Sequence, residues 1–265
     1  MDLGLKGKKA VVTGATRGIG RAIAETLAAE GCDVAICARN AEQVAETVAA
    51  LKAKGVNATG GVLDIGDGEA LKKWIRQAGD DLGGIDVLVS SASALTGVTL
   101  PSTGGEEEWG RYFNIDLMGA VRAVAAAKPY LEKAAAAKGD AAIVIVSSTS
   151  AAEATSPSAY GAIKAALIHL AKGLAKEEAP KHVRVNTVSP GTVYFKGGIW
   201  NKREESESEQ VRAIFAAALR RNPLGRMATP QEIANAVAFL ASPASAFTTG
   251  SNLIVDGAIT NRVNF

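Results

Sequence analysis

The sequence predicts an α/β protein: a doubly wound, seven-stranded parallel sheet with helices on both faces. Three observations carry this. Short, β-branched apolar runs alternate with amphipathic segments roughly every 25–30 residues, the spacing of strand–helix–strand units. The runs are apolar nearly throughout, as strands covered on both faces are. The first run leads straight into a glycine-rich turn that opens a helix.

The strands are expected at KKAVVT (8–13), DVAICA (33–38), VNATGGVLD (56–64), IDVLVS (85–90), AAIVIVS (141–147), VRVNTVS (183–189) and NLIVDG (252–257). The first helix is expected over 18–31, with Ile19, Ala22, Ile23 and Leu27 at helical spacing and Gly31 as its stop. Others are expected over 41–54, closed by Gly55, and over 67–79. Helical composition continues over 106–137, as two helices broken near Gly119, then over 158–178, stopped by Pro180, and over 230–241. Glu106–Glu108 suits a solvated helix start. Residues 191–224 interrupt the rhythm between a strand end and the next helix. An insertion at that edge of a sheet covers a ligand, so 191–224 is expected to be a lid within a single domain spanning 1–265.

Composition narrows the function. Hydrophobic residues make up 48% of the 265, enough for one large core. The net charge of +2, with no basic run carrying aromatics, argues against nucleic acid. No apolar run reaches the ~18 residues of a membrane span, and the N-terminus lacks a signal-peptide core. Cys32 and Cys37 are read as reduced core thiols of a cytoplasmic protein. No His or acidic cluster suggests a metal.

The turn TGATRGIG (13–20) places Gly14, Gly18 and Gly20 between the first strand and helix. Without Cβ atoms the backbone turns tightly and a pyrophosphate reaches the helix N-terminus. This makes the sheet Rossmann-like and the ligand a dinucleotide. After the second strand, an NAD site carries an acid for the ribose hydroxyls. Here the chain reads Cys37-Ala38-Arg39-Asn40, and Arg17 stands in the glycine turn. Two guanidiniums suit a 2′-phosphate, so NADP(H) is favoured over NAD(H).

Over essentially its whole length the sequence then resembles the short-chain dehydrogenase/reductase family, nearest to its 3-oxoacyl-carrier-protein reductase-like branch. The matching pieces are TGATRGIG, Asp64 after the third strand, Asn114 on the helix after the fourth, Ser147 and Ser148 ending the fifth, YGAIK (160–164), VNTVSPG (185–191) and VDG (255–257). The resemblance implies an NADP(H)-dependent carbonyl reductase or alcohol dehydrogenase. Tyr160 would be its general acid/base, Lys164 its partner and holder of the nicotinamide ribose, and Asn114 the anchor of a relay water. Cofactor contacts are expected from Gly14, Thr16, Arg17, Gly18, Ile19, Gly20, Arg39, Asp64, Ile65, Ser91, Tyr160, Lys164, Pro190 and Gly191. A phenol with pKa ~10 needs ~4 kcal/mol to work near pH 7. A lysine ~4 Å away at an effective dielectric of ~20 would supply about that.

The catalytic serine is open by one position. Counting thirteen back from Tyr160 gives Ser147, while the strand motif gives Ser148. Ser148 is preferred, with a one-residue deletion within 149–159. The family's NNAG after the fourth strand is replaced by Ser90-Ser91-Ala92-Ser93. That departure admits an inactive NADP(H)-binding sensor as an alternative, beside a 3-oxoacyl-carrier-protein reductase. Thr192 is the nearest candidate for the family's threonine after the sixth strand. His169 is expected on the apolar side of the Tyr160 helix, and His182 exposed. Small-residue faces at 118–127 and 158–175 imply a homo-oligomer, tetramer or dimer.

Overall fold

A computed structural model describes residues 2–95, 105–153 and 158–261. Seven parallel strands form one sheet: β1 (Lys9–Thr13), β2 (Asp33–Ala38), β3 (Ala58–Val62), β4 (Val87–Ser90), β5 (Ala141–Val146), β6 (Val183–Pro190) and β7 (Asn252–Val255). Their order is β3-β2-β1-β4-β5-β6-β7. The winding reverses between β1 and β4, where Thr13 stands in register with Ser90. A crevice opens at the carboxyl ends of strands at such a reversal.

The helices are α1 (Gly18–Ala29), α2 (Ala41–Lys52), α3 (Gly68–Leu82), α4 (Glu106–Tyr112), α5 (Met118–Lys138), α6 (Ala159–Glu178), α7 (Ile199–Glu204), α8 (Glu209–Arg220) and α9 (Pro230–Ala241). Successive strand residues point to opposite faces. Val12 and Val34 therefore join Ile23 and Leu27 of α1 and Ile233 and Val237 of α9 in one buried cluster. Val11 and Ala35 join Leu71 of α3, Leu131 of α5 and Leu167 of α6 in another. Side-chain caps fix the helix starts: Asn40 accepts from Gln43 N at 2.8 Å, and Thr229 and Glu232 cap α9 reciprocally.

The break expected near Gly119 is a π-helical turn at Phe113–Leu117, so α4, this turn and α5 run on continuously. The segment 191–224 contains α7 and α8. Cys32 and Cys37 are free and buried, and burial pushes both thiols up to about 12. His169 is exposed, not on the apolar side of α6. Gly161, Lys164, Leu167, Ala171 and Ala175 define the buried stripe, and residue 169 falls off it. His182 is exposed at a left-handed turn before β6. No described helix is long and apolar enough to cross a membrane.

Candidate active site

One cavity of about 1700 Å³ opens at the carboxyl edge of the sheet. That exceeds the ordinary ~300–1,000 Å³ of a ligand pocket and leaves room for a dinucleotide beside a second small molecule. One end is the glycine turn. Gly14 has φ +68° and Gly18 φ +54°, the left-handed region that glycine adopts freely. A Cβ on Gly20 would lie 2.3 Å from the Gly14 carbonyl oxygen. A Cβ on Gly18 would meet the Phe195 ring at 2.5 Å. The backbone left bare at Gly14 and Gly20 faces a cavity at a helix N-terminus. This is the arrangement that receives a pyrophosphate.

Thr16, Arg17, Ile19, Arg39, Asp64, Ile65, Ser91, Pro190 and Gly191 line the same cavity, as do Gly14 and Gly20. Gly18 does not line it, being covered by Phe195. Arg17 and Arg39 are exposed and form no ion pair among the described residues. Asp64 turns back to accept from Gly66 N at 2.8 Å. Ser91 N donates to the Thr13 hydroxyl at 3.2 Å, tying β4 to β1.

The far end of the cavity holds the expected chemistry. Ser148 and Tyr160 line it, and Lys164 lies beneath, its side chain only 3% exposed. Ser158 caps α6 by accepting from Gly161 N at 3.3 Å, which sets the helix from which Tyr160 and Lys164 project. The two serines have separate roles. Ser147 donates to the Lys164 carbonyl at 2.8 Å and fastens β5 to α6. Ser148 stands beside the Tyr160 phenol and favours its ionisation. Adjacent residues at a strand end face opposite ways, which accounts for the division. The deletion expected within 149–159 falls partly on 154–157, outside the described residues.

Two expectations need correction. Asn114 does not reach this cluster. Its amide donates to Gly66 O at 3.1 Å, its Oδ1 accepts from Arg122 at 2.8 Å, and it does not line the cavity. It holds the loop after β3 instead. Nor does Lys164 simply acidify Tyr160. Its Nζ donates to Val146 O at 3.2 Å, lies 5.5 Å from the Tyr160 ring centroid and faces Asp116 Oδ1 at 3.9 Å. Burial pushes the phenol up to about 12, against the opposing pull of Ser148.

The sequence reading passed over Asp116, Tyr112 and Phe195. Asp116 is buried on the π-helical turn, a lone acid between Ile115 and Leu117, and such a residue needs partners. Tyr112 stacks near Tyr160 with centroids 5.7 Å apart. The 191–224 segment forms one wall of the cavity through Phe195, Trp200, Arg203, Ile214 and Arg221. The Thr192 hydroxyl is engaged by Asn222, whose amide donates to it at 3.0 Å.

A dinucleotide-binding sheet with a serine, tyrosine and lysine at its open edge defines a class of nicotinamide-type oxidoreductases. The comparisons with known proteins agree. The family described as Enoyl-(Acyl carrier protein) reductase matches residues 14–260. Isoepoxydon dehydrogenase patN of Penicillium expansum is 36% identical over 264 residues, covering 98% of this chain and 97% of that one. Dehydrogenase/reductase SDR family member 4 of Homo sapiens is 35% identical over 265 residues, covering 98% and 90%. The crystal structure of L-sorbose reductase from Gluconobacter frateurii, complexed with NADPH and L-sorbose, superposes with a TM-score of 0.88 at 30% identity. It covers 99% of this chain and all of that one. This chain belongs to the short-chain dehydrogenase/reductase family and is an oxidoreductase.

Proposed function

We propose that this protein is an NADP(H)-dependent carbonyl reductase or alcohol dehydrogenase acting on a small molecule. One observation carries the reading: the glycine turn with Arg17, Arg39 after β2, neither in an ion pair among the described residues, and the Ser148–Tyr160–Lys164 group line or border a single cavity. The residues present fit the cofactor. The backbone of 14–20 would hold the pyrophosphate, Arg17 and Arg39 a 2′-phosphate, and Lys164 the nicotinamide ribose. When bound, the nicotinamide supplies or accepts the hydride. In reduction, Tyr160 gives its phenolic proton to the substrate oxygen, which Ser148 orients by a hydrogen bond; in oxidation Tyr160 takes that proton back. NADPH in the L-sorbose reductase structure supports the cofactor choice.

The 191–224 segment, walling the cavity, is read as the substrate lid of this single domain. A cytoplasmic location and assembly as a homotetramer or homodimer complete the proposal. A 3-oxoacyl-carrier-protein reductase finds less support. Lys202 and Arg203 border the cavity, but Glu204, Glu205, Glu207 and Glu209 stand exposed beside them and cancel a docking charge for an acidic carrier. A sensor without chemistry has no need of the Ser148–Tyr160–Lys164 group.

The test is fluorescence titration with NADPH and NADH, then NADPH oxidation against ketoses including L-sorbose, diketones and β-ketoacyl thioesters. Turnover on a carbonyl is expected. Tyr160→Phe should lower kcat by at least about a thousandfold, the scale of general acid catalysis. Its NADPH Kd should stay within about threefold. Turnover retained in that variant would refute the assignment of Tyr160.

A further inference from the structure

We infer that Asp116 is a positioning residue of the redox centre, clamped by Ser93 and the 94 amide, and that its carboxylate sets the net charge that Lys164 presents to Tyr160. The inference rests on the reading of Tyr160 and Lys164 given above.

Asp116 is 2% exposed and lies on the π-helical turn between α4 and α5. Such turns redirect side chains relative to the α-helical register and recur at functional sites. Its carboxylate has three partners. The Ser93 hydroxyl donates to Oδ1 at 3.0 Å. Ala94 N donates to Oδ2 at 2.8 Å. Lys164 Nζ lies 3.9 Å from Oδ1. Burial raises Asp116 above the ordinary carboxylate range, and Lys164, the 94 amide and the Ser93 hydroxyl oppose it by favouring the ionised form, which only accepts.

Ser93 is the position where the chain departs from the glycine of the family's NNAG. A glycine there would leave Oδ1 without its hydroxyl donor. The departure and the buried acid thus belong to one device, held between the end of β4 and the π turn. Ser93 Oγ is itself fixed, accepting from Leu95 N at 3.2 Å.

The consequence falls on the proton donor. A lone buried ammonium beside a phenol favours phenolate. An ammonium paired with a carboxylate presents little net charge, and the phenol keeps its proton at neutral pH. Asp116 itself adds to the upward push on Tyr160. Burial lowers the Lys164 ammonium, and Asp116 draws it back up. The other titratable groups near the phenol are Tyr112 and Arg111 of α4, the guanidinium 5.8 Å from the Tyr112 ring. Glu108 of α4, Glu153, Lys202, Arg203 and Arg221 line the same cavity. None of these is in contact with Lys164 as Asp116 is. A phenol held protonated suits reduction near neutral pH and requires alkaline conditions for alcohol oxidation.

The test is ionisation of Tyr160 in the nucleotide-free protein, read by NMR of ¹³Cζ-labelled tyrosine and assigned with Tyr160→Phe. Asp116→Asn should lower the pH at which Tyr160 ionises by about one unit or more. Where alcohol turnover is measurable, the alkaline limb of its pH profile should shift the same way. Asp116→Ser removes the same charge and serves as the second variant, and Asp116→Glu should restore the titration. An unmoved titration in a folded variant, or loss of the fold in both neutral ones, overturns the inference and leaves Asp116 a structural residue. The titration needs neither substrate nor cofactor. Absence of turnover in the unsubstituted enzyme would therefore strike the proposed function alone.

Discussion

Arg17 and Arg39 are exposed, border the cavity and are balanced by no carboxylate among the described residues. A guanidinium kept without a partner at the end of β2 and in the glycine turn has a use only if an anion arrives. A hydrogen bond to a charged group contributes about 1.5–3 kcal/mol. Replacing either arginine by alanine should therefore weaken NADPH binding about 10- to 100-fold. NADH, which has a hydroxyl there, should lose less than about threefold. Isothermal titration of both nucleotides against both variants decides this, and equal losses for the two would refute the phosphate assignment. These arginines could be found from sequence because one lies within the glycine turn and the other directly after the second strand, positions set by the local βαβ pattern. Lys164 and Tyr160 follow from the family resemblance of YGAIK, but their electrostatics do not. The expected acidification assumed a lone cation, whereas Asp116 sits 3.9 Å from that cation and is 48 residues away along the chain.

At the scale of elements, β3 at the sheet edge alternates buried and exposed residues, whereas the central strands β4, β5 and β6 are legible because both their faces are buried. The helix through residue 114 shows the opposite. An α-helical period cannot be carried across the turn at Phe113–Leu117, because each π turn holds an extra residue. The family resemblance implies a place in the site for Asn114, and the structure directs its side chain to Gly66 and Arg122. The packing of α9 against β6 was also hidden in sequence. Arg184, 5% exposed, donates from Nε to Asp140 Oδ1 at 2.7 Å and from Nη1 to Leu240 O at 2.7 Å. Its Nη2 reaches Ser242 O at 3.0 Å. It closes the C-terminal end of α9, whose last carbonyls have no helical partner. Arg184→Met should cost about 3 kcal/mol, since it removes the buried guanidinium's own bonds, while Asp140 keeps Lys8 at 3.7 Å and the Leu240 and Ser242 carbonyls keep Ser245 as a donor. Urea unfolding would show this as a lowered midpoint at unchanged slope. A loss under about 1 kcal/mol would mean that water replaces the guanidinium and that α9 does not depend on it.

For the whole molecule, the cavity draws on parts of the chain far apart in sequence. The glycine turn and Arg39 come from the β1–β2 half, Ser148 and Tyr160 from the β5–α6 half, and Phe195 and Trp200 from the 191–224 segment. A nucleotide lying across the reversal between β1 and β4 would bridge all three, so its binding adds directly to the stability of the fold. A ligand at a hundred times its Kd stabilises by about 2.7 kcal/mol. At about 2–4 °C per kcal/mol for a chain near this size, NADPH should raise Tm by roughly 5–10 °C. NADH at the same concentration should raise it distinctly less, because the two arginines gain nothing from its hydroxyl. The joint variant Arg17→Ala with Arg39→Ala should bring the two nucleotide shifts together without changing Tm of the free protein by more than about 1 °C, since neither side chain is buried or paired. Scanning calorimetry of the four combinations tests the cofactor without any knowledge of the substrate. Equal shifts from NADPH and NADH in the unsubstituted protein would show that the cavity binds a dinucleotide without reading its 2′-phosphate.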